Sequence, residues 1–112
     1  MSLVDKQSTF ARNVASLIIF GEEHFKLTFG EAERTAEQAK LYAEEGCGIV
    51  NSLHCKRLAV DLHLYDLVTG AYLQDVASYE KLGVYWESLN PANRWGGKFK
   101  RVDSDHYEMQ DL

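Results

Sequence analysis

From Leu58 to Tyr65 apolar and polar residues alternate strictly, with Leu58, Val60, Leu62 and Leu64 in one set and Ala59, Asp61, His63 and Tyr65 in the other. A period of two is that of a strand with one face in a core and the other turned outward, and a helix cannot present it. The chain must therefore build a sheet around this stretch, with Asp61 on its polar face. Two flanking segments add to that face: Ser52-Leu-His54 just before it and Asp103-Ser-Asp-His106 near the C-terminus. In a chain with four histidines, these segments gather two of them with several carboxylates, which is enough for one metal site.

Spacing says what the backbone must do if His54 and Asp61 share a metal. They are seven residues apart. On a helix they would lie about 10 Å apart along the axis, and on a straight strand an odd separation puts them on opposite faces. The chain must turn between them, at the polar Cys55-Lys56-Arg57. A zinc ion held by two His and one Asp keeps a position open for water, which is the ligand set of catalytic sites. Asp103 stands three residues before His106. If a strand begins near His106, Asp103 falls in the preceding turn, free to take a proton from zinc-bound water. Asp105 is the alternative base.

Elsewhere the pattern supplies packing. Phe10, Val14, Leu17 and Ile18 recur at helical spacing, predicting a helix from about Asp5 to Phe20 that Gly21 ends. Phe25, Leu27 and Phe29 alternate with His24, Lys26 and Thr28, predicting a short strand whose His24 is a surface residue. Thr35-Ala-Glu-Gln38 has the form of a capping box, so a helix is expected from Thr35 to Gly46. Arg34 then adjoins the positive end of that helix, which suits a carboxylate ligand; pairing with Glu31 or Glu37 is the bland alternative.

Val68-Thr-Gly70 is a turn, and Tyr72-Leu73 is either a return strand or a loop. Val76, Tyr79, Leu82, Trp86 and Leu89 step by three and four, predicting a helix from about Asp75 to Leu89 before Asn90-Pro91. Asn93-Arg-Trp-Gly-Gly97 reads as a loop with an exposed Trp95 as a possible cleft wall, or as an ordinary Gly-Gly turn. Phe99–Val102 and His106–Met109 are expected to be the two arms of a hairpin. On the last arm Glu108 shares a face with His106, either orienting a histidine or competing as a ligand.

At 112 residues there is room for one domain, and 46% hydrophobic content with a single proline fits an ordered globule. A net charge of −5 without a basic run argues against nucleic acid as a partner. No segment approaches the roughly 20 apolar residues of a membrane span. The N-terminus is not expected to be a signal peptide, because Asp5, Lys6 and Arg12 interrupt it. Synthesis in the cytoplasm and free thiols at Cys47 and Cys55 are the corresponding expectations. Cys55, next to His54, is read as a small half-buried residue in preference to a stray metal ligand.

Taken together, Ser52-x-His54, the step to Asp61 within Leu-Ala-Val-Asp-Leu, Asn93-Arg-Trp-Gly-Gly97 and Asp103-x-x-His106-Tyr-Glu-Met resemble the zinc peptidases that cut peptidoglycan stem peptides. That family comprises D-Ala-D-Ala carboxypeptidases and dipeptidases and L-alanyl-D-glutamate endopeptidases. The wording of Lys-Arg-Leu-Ala-Val-Asp and Asn-Arg-Trp-Gly-Gly is most like single-domain phage endolysins. The resemblance runs from about Phe29 to Met109. It implies an α+β fold, a small antiparallel sheet carrying one zinc ion and packed with about three helices, of the hedgehog / D-Ala-D-Ala carboxypeptidase type. It implies His54, Asp61 and His106 as zinc ligands, Asp103 as general base, and Arg34 and Ser52 as holders of a substrate carboxylate or carbonyl.

Position 63 departs from the pattern, with His where Asn is expected, and either competes for the metal or lines the cleft. The implied activity is hydrolysis of the L-alanyl-D-glutamate bond of stem peptides by a metal-activated water. Release of terminal D-alanine is the alternative, as is a non-catalytic zinc-binding module of the kind hedgehog domains suggest; a purely structural zinc domain would be cysteine-rich. A monomeric phage lysis enzyme spanning residues 1–112, without a separate wall-binding domain, is the organisation expected. Made in the host cytoplasm, it would reach the cell wall through a holin-type pore.

Overall fold

The alternating stretch forms the longest strand of the structure, a computed structural model that describes residues 2–30, 53 and 56–111. Helix α1 spans Leu3–Glu22, followed by strand β1 (Phe25–Phe29), strand β2 (Ala59–Asp66), strand β3 (Tyr72–Leu73), helix α2 (Val76–Leu89), strand β4 (Asn93–Trp95), a single 3-10 turn at Gly96–Lys98, and strand β5 (His106–Met109). The sheet is antiparallel in the order β1-β2-β5-β4. One edge of β2 is shared: β5 takes Ala59, Val60 and Asp61, and β3 takes Leu64 and Tyr65 farther along. The fold class is the α+β arrangement expected. The helix expected from Thr35 to Gly46 lies outside the described residues, as do Cys47 and Cys55.

The core lies between the apolar sheet face and the two helices. Leu58, Leu62 and Leu64 meet Phe10 and Leu17 of α1 and Tyr79, Leu82 and Trp86 of α2, with Tyr107 and Met109 contributed by β5. Leu17, Leu58, Leu64, Leu82, Trp86 and Tyr107 are fully enclosed. Each such aliphatic side chain contributes about 1.5–3 kcal/mol through burial. Two polar groups key the layers together. Trp86 donates its Nε1–H to the Glu108 carbonyl at 3.0 Å, and the Tyr79 hydroxyl accepts from Leu64 N and donates to the Leu73 carbonyl at 2.7 Å.

Three local expectations are corrected. Helix α1 does not stop at Gly21; it runs one residue beyond it, and the glycine is buried. A Cβ there would stand 3.0 Å from Leu27 and 3.1 Å from Leu82, so the missing side chain serves close packing against β1 and α2 rather than termination. Asn93–Trp95 is a strand and not a loop, because its partner is β5, in the register Arg94↔Glu108 and Trp95↔Tyr107. For the same reason Phe99–Val102 is not the other arm of a hairpin. The last strand finds its partners in β2 and β4, far away in sequence.

Candidate metal centre

The turn demanded by the spacing is present at Lys56-Arg57. Leu58 N and Lys56 N both donate to the Leu53 carbonyl, at 2.8 and 3.2 Å, and Arg57 takes a left-handed φ of 57°. A non-glycine residue there costs on the order of 1–2 kcal/mol. From this turn β2 carries Asp61 and His63 outward on the face opposite the core. In the β2–β5 ladder Asp61 pairs with His106 and Ala59 with Glu108, so antiparallel register, rather than sequence proximity, brings the acid and the imidazole together. Asp61 Oδ1 lies 3.1 Å from His106 Nδ1.

Asp103 joins them through the turn that precedes β5. His106 N donates to the Asp103 carbonyl at 3.1 Å, and Asp103 N donates to the Gly96 carbonyl at 3.0 Å. The turn folds the Asp103 carboxylate back to 3.9 Å from His106 Nδ1, where it stays half exposed. Ligand atoms of Asp61, Asp103 and His106 all lie within 4.8 Å of one another. Among the described residues this is the group able to hold a metal ion.

The donor set fits a divalent cation, and His106 provides the test. Its Nε2 is engaged by the buried Glu108, whose Oε1 is 2.7 Å away, leaving Nδ1 to face the two aspartates. A carboxylate on the far nitrogen of a histidine is the arrangement that orients ring and tautomer in metal sites. Burial disfavours the charged imidazolium, but hydrogen bonds to Asp61 and Glu108 outweigh it and raise the His106 pKa to about 9. Glu108 is pushed up by burial, yet its bonds to His106 and Arg94 hold it below the usual carboxylate range. Both of its oxygens are engaged, one orienting the histidine, and it lies outside the group able to hold a metal ion.

Asp105 and His63 form a neighbouring pair. His63 Nε2 is 3.0 Å from Asp105 Oδ2, and its ring lies 5.3 Å from that of Tyr72. Burial, a hydrogen bond with Asp103 and the charge of Asp61 raise the Asp105 pKa to about 6, against the opposing pull of His63. His63 lies outside the candidate metal group and flanks it, lining the polar face.

Trp95 departs from the cleft wall expected of it. It is 3% exposed, with its ring against Gly83 and Gly97 and its Nε1 donating to the Ser104 carbonyl at 2.7 Å. An indole with apolar neighbours and a partner for its one donor is stable inside. From there it secures the turn that carries Asp103. Arg34, Ser52 and His54 lie outside the described residues. Arg94 was missed as a contributor: its cross-strand position opposite Glu108 becomes visible only once the β4–β5 register is known.

Comparison with solved structures finds a likeness to the crystal structure of the Serratia marcescens L-Ala D-Glu endopeptidase ChiX, with a TM-score of 0.63 and 18% identity, covering 90% of this chain and 77% of that one. At this identity the likeness establishes a shared fold. No family model and no curated protein matches the chain.

Proposed function

We propose that the protein is a zinc-dependent peptidoglycan peptidase that hydrolyses the L-alanyl-D-glutamate bond of stem peptides. The observation that carries this reading is the convergence of Asp61, Asp103 and His106 on a fold shared with an L-Ala D-Glu endopeptidase. Zinc would be held by Asp61, His106 and His54, and when bound it supplies Lewis acidity toward the scissile carbonyl and an acidified water. Asp103, the most exposed of the three grouped residues and carried on a turn, is the general base that accepts the water proton and passes it to the leaving amine. Arg34 and Ser52 hold a substrate carboxylate or carbonyl.

Among the described residues no helix is long and apolar enough to cross a membrane. The substrate in this reading lies in the cell wall. The protein acts there as a monomeric endolysin that reaches the wall through a holin-type pore.

The test uses a defined muropeptide carrying an intact stem. Zinc-loaded protein should yield a new amino-terminal D-glutamate, identified by mass. Release of terminal D-alanine would place the activity in the carboxypeptidase branch, and no cleavage with zinc bound would leave a binding module.

A further inference from the structure

Arg94 has no part in the reaction just proposed, yet it is joined to the centre through a single intermediary. The two oxygens of Glu108 are divided: Oε1 holds His106 Nε2 at 2.7 Å, and Oε2 accepts from Arg94 Nε at 3.0 Å and also from its terminal nitrogen. Glu108 is buried, at 6% exposed, and shares its charge between His106 and the guanidinium of Arg94, which reaches in from the half-exposed surface. Arg94 is held in turn: its guanidinium carbon lies 5.3 Å from the centre of the Phe99 ring, and that ring lies 5.9 Å from the His106 ring.

We propose that Arg94 is a positioning residue for the metal centre, pinning one oxygen of Glu108 so that the other keeps His106 Nδ1 turned toward Asp61 and Asp103. Both guanidinium donors converge on Oε2 while His106 holds Oε1, so each oxygen of the carboxylate is anchored and its rotation is fixed. Without Arg94, Glu108 can rotate or draw in water, and the imidazole loses the restraint that presents Nδ1. The inference rests on the metal-site reading above. The competing account is that Arg94–Glu108 merely ties β4 to β5, in which case its loss would lower stability and leave metal binding alone.

Zinc affinity of the full chain, measured by competition with a chromophoric chelator, separates the two. Arg94→Gln, Arg94→Lys and Asp75→Ala are compared with the wild type; Asp75 caps the start of α2 through Ser78 and serves as a stability control. Arg94→Gln should bind zinc about tenfold to a hundredfold more weakly, the range seen when outer partners of metal ligands are removed. Arg94→Lys should recover part of that loss, and Asp75→Ala should bind as the wild type does. In metal-free protein the His106 Nε2–H proton resonance should shift in Arg94→Gln and stay in place in Asp75→Ala.

Unchanged affinity in Arg94→Gln, or an equal loss in Asp75→Ala, overturns the inference and leaves the metal site standing. If Arg94→Gln does not fold, Arg94→Lys decides, with wild-type affinity and an unmoved Nε2–H resonance overturning the proposal. A wild type that binds no zinc overturns the site and this inference together.

Discussion

Asp61 and His106 face each other across the β2–β5 ladder, 45 residues apart in sequence and 3.1 Å apart at Oδ1 and Nδ1. Neither can be moved without moving a strand. Removing either is therefore expected to abolish tight metal binding with little change in fold. Asp61→Ala and His106→Ala should each lower zinc affinity beyond the ten- to hundredfold that outer partners cost, to about a thousandfold or more. Titration calorimetry on the metal-free protein reads this directly, and near-native affinity in either variant would remove that residue from the ligand set.

Asp103 should behave differently. As base rather than ligand, its replacement by Ala should lower turnover by about 10²–10⁴-fold while zinc stays bound at one ion per chain. Metal content and turnover measured on the same preparation check this. Zinc lost together with activity would make Asp103 a ligand instead.

Two glycines test how the centre is supported. A Cβ on Gly83 would stand 2.1 Å from the Trp95 ring, and one on Gly96 would stand 2.1 Å from the Asp103 carbonyl and 3.0 Å from His106 Cβ. Gly83→Ala should cost about 1–3 kcal/mol or more in urea unfolding, as overpacking does. Gly96→Ala should be destabilising too and should also weaken zinc binding, because the added methyl crowds the ligand His106. Equal effects of the two on zinc affinity would argue against that link.

The C-terminal segment is clamped to the body by Asp111, which lies 2.6 Å from Lys6 Nζ and 2.8 Å from Lys56 Nζ. Hydrogen bonds from Lys56 and Lys6 lower its pKa to about 2. A depressed carboxylate contributes stability that is present above its unfolded pKa, near 4, and is lost as pH falls through its folded value. The difference in melting temperature between wild type and Asp111→Asn should thus be full at pH 5–7 and vanish between about pH 4 and pH 2. A difference that persists at pH 2 would contradict the clamp.

What could be read from the sequence was governed by local periodicity. The alternation of Leu58–Tyr65 announced β2 and put Asp61 on its open face, and the three-and-four spacing of Tyr79, Leu82 and Trp86 announced α2. The turn before β2 followed from the seven-residue spacing of His54 and Asp61. What escaped was set by register and packing at long range. Nothing local in Asn93-Arg-Trp marks a strand, since its three residues gain their order from β5. Trp95 beside two glycines looked like an exposed loop residue, whereas those glycines make room for its ring. The role of Glu108 was one of two readings until the distances to His106 and Arg94 decided it.

The most direct test of the account is mass spectrometry of purified peptidoglycan digested by metal-free protein, by zinc-loaded protein and by zinc-loaded Asp103→Ala. The account predicts new amino-terminal D-glutamate, with L-alanine left on muramic acid, in the zinc-loaded wild-type digest alone. Equal products with and without zinc, or no products from wild type with zinc confirmed bound, would contradict a metallopeptidase centre at Asp61, Asp103 and His106.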